Sequence, residues 1–255
     1  MKRHGFSLVE LSIVLVILGL LTGGILSGQS LIHAAELRSI TTDLMRYSAA
    51  ANAFRDKYFA LPGDFNNAQA FWNAQGTNCS GTVTTLTTTG TCNGDGSGTI
   101  DNTAAASTTG ERFQFWRHLA LAGLIEGNYS GIAGSQGSTA GAPGTNIPAS
   151  KISGGGWFPF TLNNYAGSAG TSYAGDYGNY LSFSLWSAGV GNAILKPEDM
   201  WNIDTKLDDG KPGTGKVIAF SYSTCTNAAS PTDYGSTYNL STSTVGCVPL
   251  FLKAF

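Results

Sequence analysis

The sequence predicts an α+β protein: one long amino-terminal helix, then a head of short strands and short helices joined by long Gly/Ser/Thr-rich loops. Three observations carry this. Residues 6–32 form an apolar run interrupted by a single charge, Glu10. A helical stripe of apolar residues continues from that run. Further on, two segments alternate apolar with small residues at the period of a strand.

Composition narrows the class. At 255 residues the chain can bury a sizeable core in one large domain or two small ones. Charged residues make up 12%, against a usual ~25%, which excludes a charged coiled coil and charge-driven disorder. The formal net charge of -2 lacks the basic excess that phosphate neutralisation requires, so no nucleic-acid partner is expected. One block near the amino terminus takes a large share of the apolar residues, which excludes a multi-span membrane protein.

That block is the first element. As a helix, its 27 residues would reach roughly 40 Å, enough to cross a hydrocarbon core of ~30 Å. Lys2 and Arg3 precede it and Glu36 is the first charge after it, so the start stays in the cytoplasm and the rest is exported. A cleaved secretory signal would need a shorter core and a small-residue cleavage site. A plain anchor leaves Glu10 unexplained, because a carboxylate at membrane depth costs about 2.5–3.5 kcal/mol. A suitable partner would be a free α-amine exposed by cleavage just before Phe6, on a neighbouring copy.

Gly5-Phe6-Ser7-Leu8-Val9-Glu10 ahead of an apolar stretch resembles the prepilin signature of type IV pilins and type II secretion pseudopilins. The resemblance implies cleavage between Gly5 and Phe6 by a prepilin peptidase/N-methyltransferase, methylation of Phe6 and an assembly role for Glu10. It divides the chain into a leader (1–5), a transmembrane and assembly helix (6–32), the soluble amphipathic half of the same helix (33–60) and an exported globular head (61–255). The implied partners are the inner membrane and other pilin or pseudopilin subunits. The implied location is the bacterial inner membrane, as a single-pass protein with its head outside, and then a periplasmic pseudopilus or extracellular pilus. Gly19 falls where pilins often carry a glycine, whereas Ser27 stands where they commonly carry proline.

Beyond the span, Leu37, Ile40, Leu44, Tyr47, Ala51, Phe54 and Tyr58 hold one helical face, so a single helix is expected from Phe6 to Tyr58. Leu61-Pro62-Gly63 ends it. A free coiled-coil stalk fits this stripe equally well. The resemblance favours the pilin-like arrangement, in which the stripe packs on an antiparallel sheet. It extends over residues 1 to about 65 and then weakly to Pro62-Gly63-Asp64 and to the stretch Ile203 to Gly210.

In the head, Asp64 is placed to cap a short helix reaching Gln75. Glu111–Ile125 has helical spacing, and Pro197-Glu198-Asp199 opens another helix. Leu181, Phe183 and Leu185 alternate with Ser182 and Ser184, and Ile218, Phe220 and Tyr222 alternate with smaller residues, as half-buried strands would. Val248–Leu252 reads as a third strand, at an edge because of Pro249.

Four cysteines, Cys79, Cys92, Cys225 and Cys247, lie in the exported part, where disulfides are favoured. Of three connectivities the local one is expected. Cys79–Cys92 would close a Gly/Thr loop, and Cys225–Cys247 resembles the carboxy-terminal disulfide loop of type IV pilins. Metal-ligand spacing is absent among them.

Asn93, Asp95, Ser97, Thr99 and Asp101 place oxygens at alternate positions, with Gly98 sixth and Ile100 eighth, much like the start of an EF-hand calcium loop. Ala104 stands where the bidentate Glu belongs, so a calcium site would borrow a carboxylate from elsewhere, such as Glu111. A solvated turn is the alternative. Asp208 and Asp209 before Gly210 are a second calcium candidate, with a hairpin turn as the alternative. Gly210 to Lys216 has phosphate-loop spacing, but Val217 replaces the magnesium-binding hydroxyl. His118 is expected at a surface or capping position, with no nucleophile motif beside it. Core strands and turns account for the aromatics of residues 154–192, with an adhesion face as the alternative. No catalytic constellation is read, and no cofactor is expected apart from the candidate calcium. The expected function is therefore non-enzymatic: a major or minor structural subunit of a type IV pilus-like or type II secretion pseudopilus filament. The alternative is a membrane-anchored exported glycan-binding or adhesion protein, or a hydrolase, using a pilin-like anchor.

Overall fold

The computed structural model describes residues 8–75, 90–100, 110–134, 140–187, 190–220 and 222–255. The chain forms two compact units, divided between Ser39 and Ile40. One unbroken helix, α1 (Leu8–Tyr58), runs from the first into the second. The stripe read from the sequence is its buried face: Ile40, Tyr47, Ala51 and Phe54 are buried in the second unit. Tyr47 sets its ring edge-on to Trp116 at 4.9 Å and to Trp157 at 5.7 Å, which fixes this face of the helix against the sheet.

The second unit contains α2 (Ala68–Trp72), α3 (Glu111–Leu121), β1 (Gly155–Leu162), β2 (Gly178–Ser187), β3 (Val190–Asn192), α4 (Pro197–Leu207), β4 (Val217–Phe220), α5 (Tyr222–Cys225) and β5 (Val248–Leu252). The strands pair antiparallel in the order β1-β2-β5-β4, with β3 hairpinned onto β2. The architecture is thus a long amino-terminal helix with an antiparallel five-stranded sheet, consistent with a pilin-like fold.

The sheet is buried on both faces. Trp157 packs against Phe183 and Phe251 and meets Tyr47 of α1. Tyr173, Tyr177, Tyr180, Ile218, Val248 and Leu250 form a second core. Ser182 and Ser184, expected to face water, are buried as well. Ser182 Oγ donates to the carbonyl of Phe158, so burial leaves that hydroxyl satisfied.

Three further expectations need correction. β5 lies between β2 and β4, not at an edge. Pro249 is tolerated there because it faces Ala219 of β4, while the ladder to β2 begins one residue later, at Leu250 opposite Ser182. A missing N–H costs no ladder bond at that position. α3 ends at Leu121, four residues short of Ile125, and Gly123 adopts a positive φ of 71 just beyond it. Asp64 caps no helix, and α2 is only 5 residues long. Its carboxylate turns to the loop at 97–98 instead.

Candidate functional site

In the first unit, α1 is exposed along its apolar length. Leu8, Leu15, Leu20, Leu26 and Leu31 all point into open space, and this helix is long and apolar enough to cross a membrane. Three of its hydroxyls bond carbonyls of the helix itself. Ser12 donates to the carbonyl of Val9, Thr22 to Leu18 and Gly19, and Ser30 to Ser27. A segment without water around it requires that kind of bookkeeping. Glu10, exposed in the first turn, is the one formal charge between residues 8 and 32.

Sequence reasoning missed a feature of this helix. Gly19 and Gly23, and likewise Gly24 and Gly28, stand four apart, and a Cβ added at any of them would meet nothing within 4 Å. Small residues at that spacing let a second helix backbone approach closely. The small-xxx-small pattern in residues 19–28 was the available signal. The leader, Gly5 and Phe6 lie outside the described residues.

In the second unit, the calcium-like loop is wrapped around a carboxylate that the sequence reading had assigned elsewhere. Asp64 accepts the backbone N–H groups of Ser97 (2.9 Å) and Gly98 (2.8 Å), and its own carbonyl accepts Gly96 N–H at 3.1 Å. The loop comes this close because Gly94 has no side chain: a Cβ there would sit 2.4 Å from the Asp64 backbone. Glu111 Oε1 accepts the N–H of Asp95 at 3.0 Å. Carboxylate oxygens of Asp64, Asp95 and Glu111 all lie within 4.8 Å of one another, a spacing that could hold a metal ion. Burial raises the Asp64 carboxyl above its ordinary range, opposed by the N–H groups of Gly98, Ser97 and Gly96. The remaining candidates do not converge on this point. Asn93 Oδ1 accepts Gln69 N–H at 2.8 Å, Ser97 and Thr99 pair their hydroxyls at 2.9 Å, and Asp101 lies outside the described residues.

A second acidic group joins Asp208 and Asp209 to Asp204, which the sequence reading did not single out. Asp204 is buried at the end of α4, where it accepts the Tyr238 hydroxyl at 2.7 Å. Burial pushes its carboxyl up to about 7, opposed by Tyr238 and by Gly210 N–H and reinforced by Asp209 and Asp208. Asp208 accepts the N–H groups of Lys216 and Val217, and Asp209 accepts Lys211 N–H and the Thr214 hydroxyl. These bonds occupy donors of the phosphate-loop-like segment with the protein's own carboxylates.

Cys225 and Cys247 form a disulfide with a Cα–Cα distance of 5.0 Å, tying α5 to the start of β5. Cys92 is disulfide-bonded too, and its expected partner Cys79 lies outside the described residues.

His118, expected at the surface, is wholly buried and stacks against the rings of Phe54 and Trp72, which also touch each other. Its Nδ1 accepts Gly63 N–H at 2.9 Å, so the proton sits on Nε2, which donates to the carbonyl of Cys92 at 3.0 Å. Burial lowers its pKa to about 4, with Arg117 adding to the effect and the Cys92 bond opposing it. A histidine so engaged is structural.

A family model described as the prokaryotic N-terminal methylation motif matches residues 1–26. The chain therefore carries the type IV pilin and pseudopilin signature, which suggests a structural subunit processed by prepilin peptidase and assembled with other subunits. With the apolar helix beside it, this signal is consistent with a membrane-anchored, exported protein. No curated protein and no solved structure matches the chain significantly.

Proposed function

We propose that the chain is a non-enzymatic subunit of a type IV pilus-like or type II secretion pseudopilus filament. The observation that carries this reading is an exposed apolar helix, bearing one carboxylate, within a segment that matches the methylation motif. Cleavage between Gly5 and Phe6 frees an α-amine, which is then methylated. Glu10 pairs with that amine on the neighbouring subunit, where low water content makes the opposite charge worth its desolvation. The glycine pairs at 19/23 and 24/28 let the helices bundle closely. The Cys225–Cys247 loop favours the pilus over the pseudopilus by its resemblance to pilin carboxy-terminal loops.

The test replaces Glu10 by Leu, which keeps the span apolar. Terminal-peptide spectrometry should show cleavage after Gly5 and a methylated Phe6 in both proteins. Content in sheared filaments should fall at least tenfold for Glu10→Leu, with the membrane pool unchanged. Equal incorporation would leave only the membrane-anchor reading.

Calcium is the proposed ligand of Asp64, Asp95 and Glu111, supported by the convergence of their oxygens. Calcium should raise the melting temperature by several degrees over EDTA in the wild type and not in Asp95→Asn. A rise that survives Asp95→Asn but not Asp209→Asn would move the ion to the other cluster. No rise in the wild type would remove calcium from this reading.

A further inference from the structure

Helix α1 ends at Tyr58, and Phe59 follows it with a φ of 54. Helices commonly close through a left-handed residue of this kind, but glycine or asparagine normally fills the position. A bulky aromatic there strains the backbone. Phe59 is also 92% exposed, the highest value among the described exposed large apolar residues. Backbone strain and an apolar ring in water both oppose stability, and both would be relieved by a small polar residue.

Phe59 stands on the rim of a cleft of about 290 Å³ formed by the last turn of α1, the turn after it and the loop at 96–98. Arg55, Asp64 and Asn66 supply its polar lining, and Leu61 part of its apolar lining. The Arg55 guanidinium gives one bond to Asn52 Oδ1 at 2.8 Å and retains other N–H donors. Gly96, at a φ of 76, leaves room for the Asn66 side chain: a Cβ would come 2.9 Å from its amide nitrogen. The volume sits at the small end of the roughly 300–1,000 Å³ typical of ligand sites. It suits a single ring.

We propose that this cleft binds one hexopyranose unit of a glycan. A pyranose presents a face of C–H groups, which an exposed aromatic ring covers, and a rim of hydroxyls, which guanidinium, amide and carboxylate groups bind. The surroundings argue against a protein partner. Arg55, Asp56 and Lys57 beside Phe59 are all exposed, whereas the core of a protein interface is depleted of charge. The proposal does not depend on filament assembly.

The experiment uses the full chain in a detergent without a sugar headgroup, in EDTA so that no cation on Asp64 can contribute. Saturation-transfer NMR is recorded with lactose, N,N′-diacetylchitobiose and a digalacturonate. At least one should bind, with the digalacturonate arm showing whether Arg55 selects an acidic sugar. Phe59→Asn should weaken binding at least tenfold while the melting temperature stays level or rises, because asparagine tolerates the left-handed conformation. Arg55→Gln should weaken it severalfold. Phe71→Ser, an exposed aromatic outside the cleft, should change nothing. Wild-type-like binding by Phe59→Asn, or no signal from any of the three sugars, overturns the proposal. So does a benzophenone at position 59 that cross-links to another subunit and is not competed by oligosaccharide.

Discussion

Residues 8–32 of α1 expose Leu, Ile and Val around the whole helix, whereas α3 buries all nine residues from Glu111 to Leu119, five of them polar or charged. Neither helix has a dry face and a wet face. The first has apolar surface with nothing in its own unit to cover it. In α3, Gln114 and Arg117 find partners in the surrounding loops. Gln114 accepts from the Thr91 hydroxyl at 2.8 Å and donates to the carbonyl of Gly131 at 2.9 Å. Arg117 Nε donates to Gly90 at 2.6 Å, and its Nη1 to Tyr129 at 2.7 Å. Such a helix organises loops that have too little apolar surface to fold on their own. The contrast places the stability of the head in α3 and the tendency to associate in lower α1.

The strongest way to break that division is Arg117→Leu. It orphans two buried carbonyls at about 1–3 kcal/mol each, read as a large drop in the thermal melt. Next is removal of the Cys225–Cys247 disulfide by a double change to serine. The bridge spans 22 residues, so about 3 kcal/mol should go, measured by urea unfolding.

The pH dependence sharpens the comparison further. His118 has a folded pKa of about 4, below its unfolded value near 6.5. The unfolded state therefore binds the extra proton first, and stability falls as pH drops through the window from about 6.5 to 4. The loss approaches 3 kcal/mol at its lower end. Asp204 has the opposite sign. Its raised carboxyl makes the head more stable on the acid side, an advantage lost as pH rises from about 4 toward 7. Melts of Asp204→Asn should therefore show a steeper acid loss than the wild type. Smallest of all, Leu15→Ser in lower α1 should leave the head's melt within ~0.5 kcal/mol of the wild type, since Leu15 is exposed.

Much of this was legible in the sequence. The stripe from Ile40 to Phe54, the strands around Phe183 and Ile218 and the helix opened by Pro197 all follow local periodicity or capping, which one stretch of chain carries by itself. The misreadings depend on what lies opposite. Ser182 and Ser184 read as exposed because the residues beside them on that side of the sheet, Phe158, Gly191 and Leu250, belong to other strands. His118 reads as a surface residue because its partner Gly63 lies 55 residues away. Asp64 looked like a cap, whereas the N–H groups that claim it belong to Ser97 and Gly98. Glu111, named from the sequence as a carboxylate the loop could borrow, does reach it, accepting Asp95 N–H.

The strand order carries a consequence for the order of folding. β2 is made before β4, yet the strand that joins them is β5, which follows both. Until residues 248–252 arrive, β2 presents a bare edge and β4 has no neighbour, so the sheet cannot close from its amino-terminal side inward. The head is then a structure that assembles late and all at once, while α1 waits with its apolar length already made. A chain clipped before residue 248 would keep its exposed apolar helix and lose the strand that joins β2 to β4.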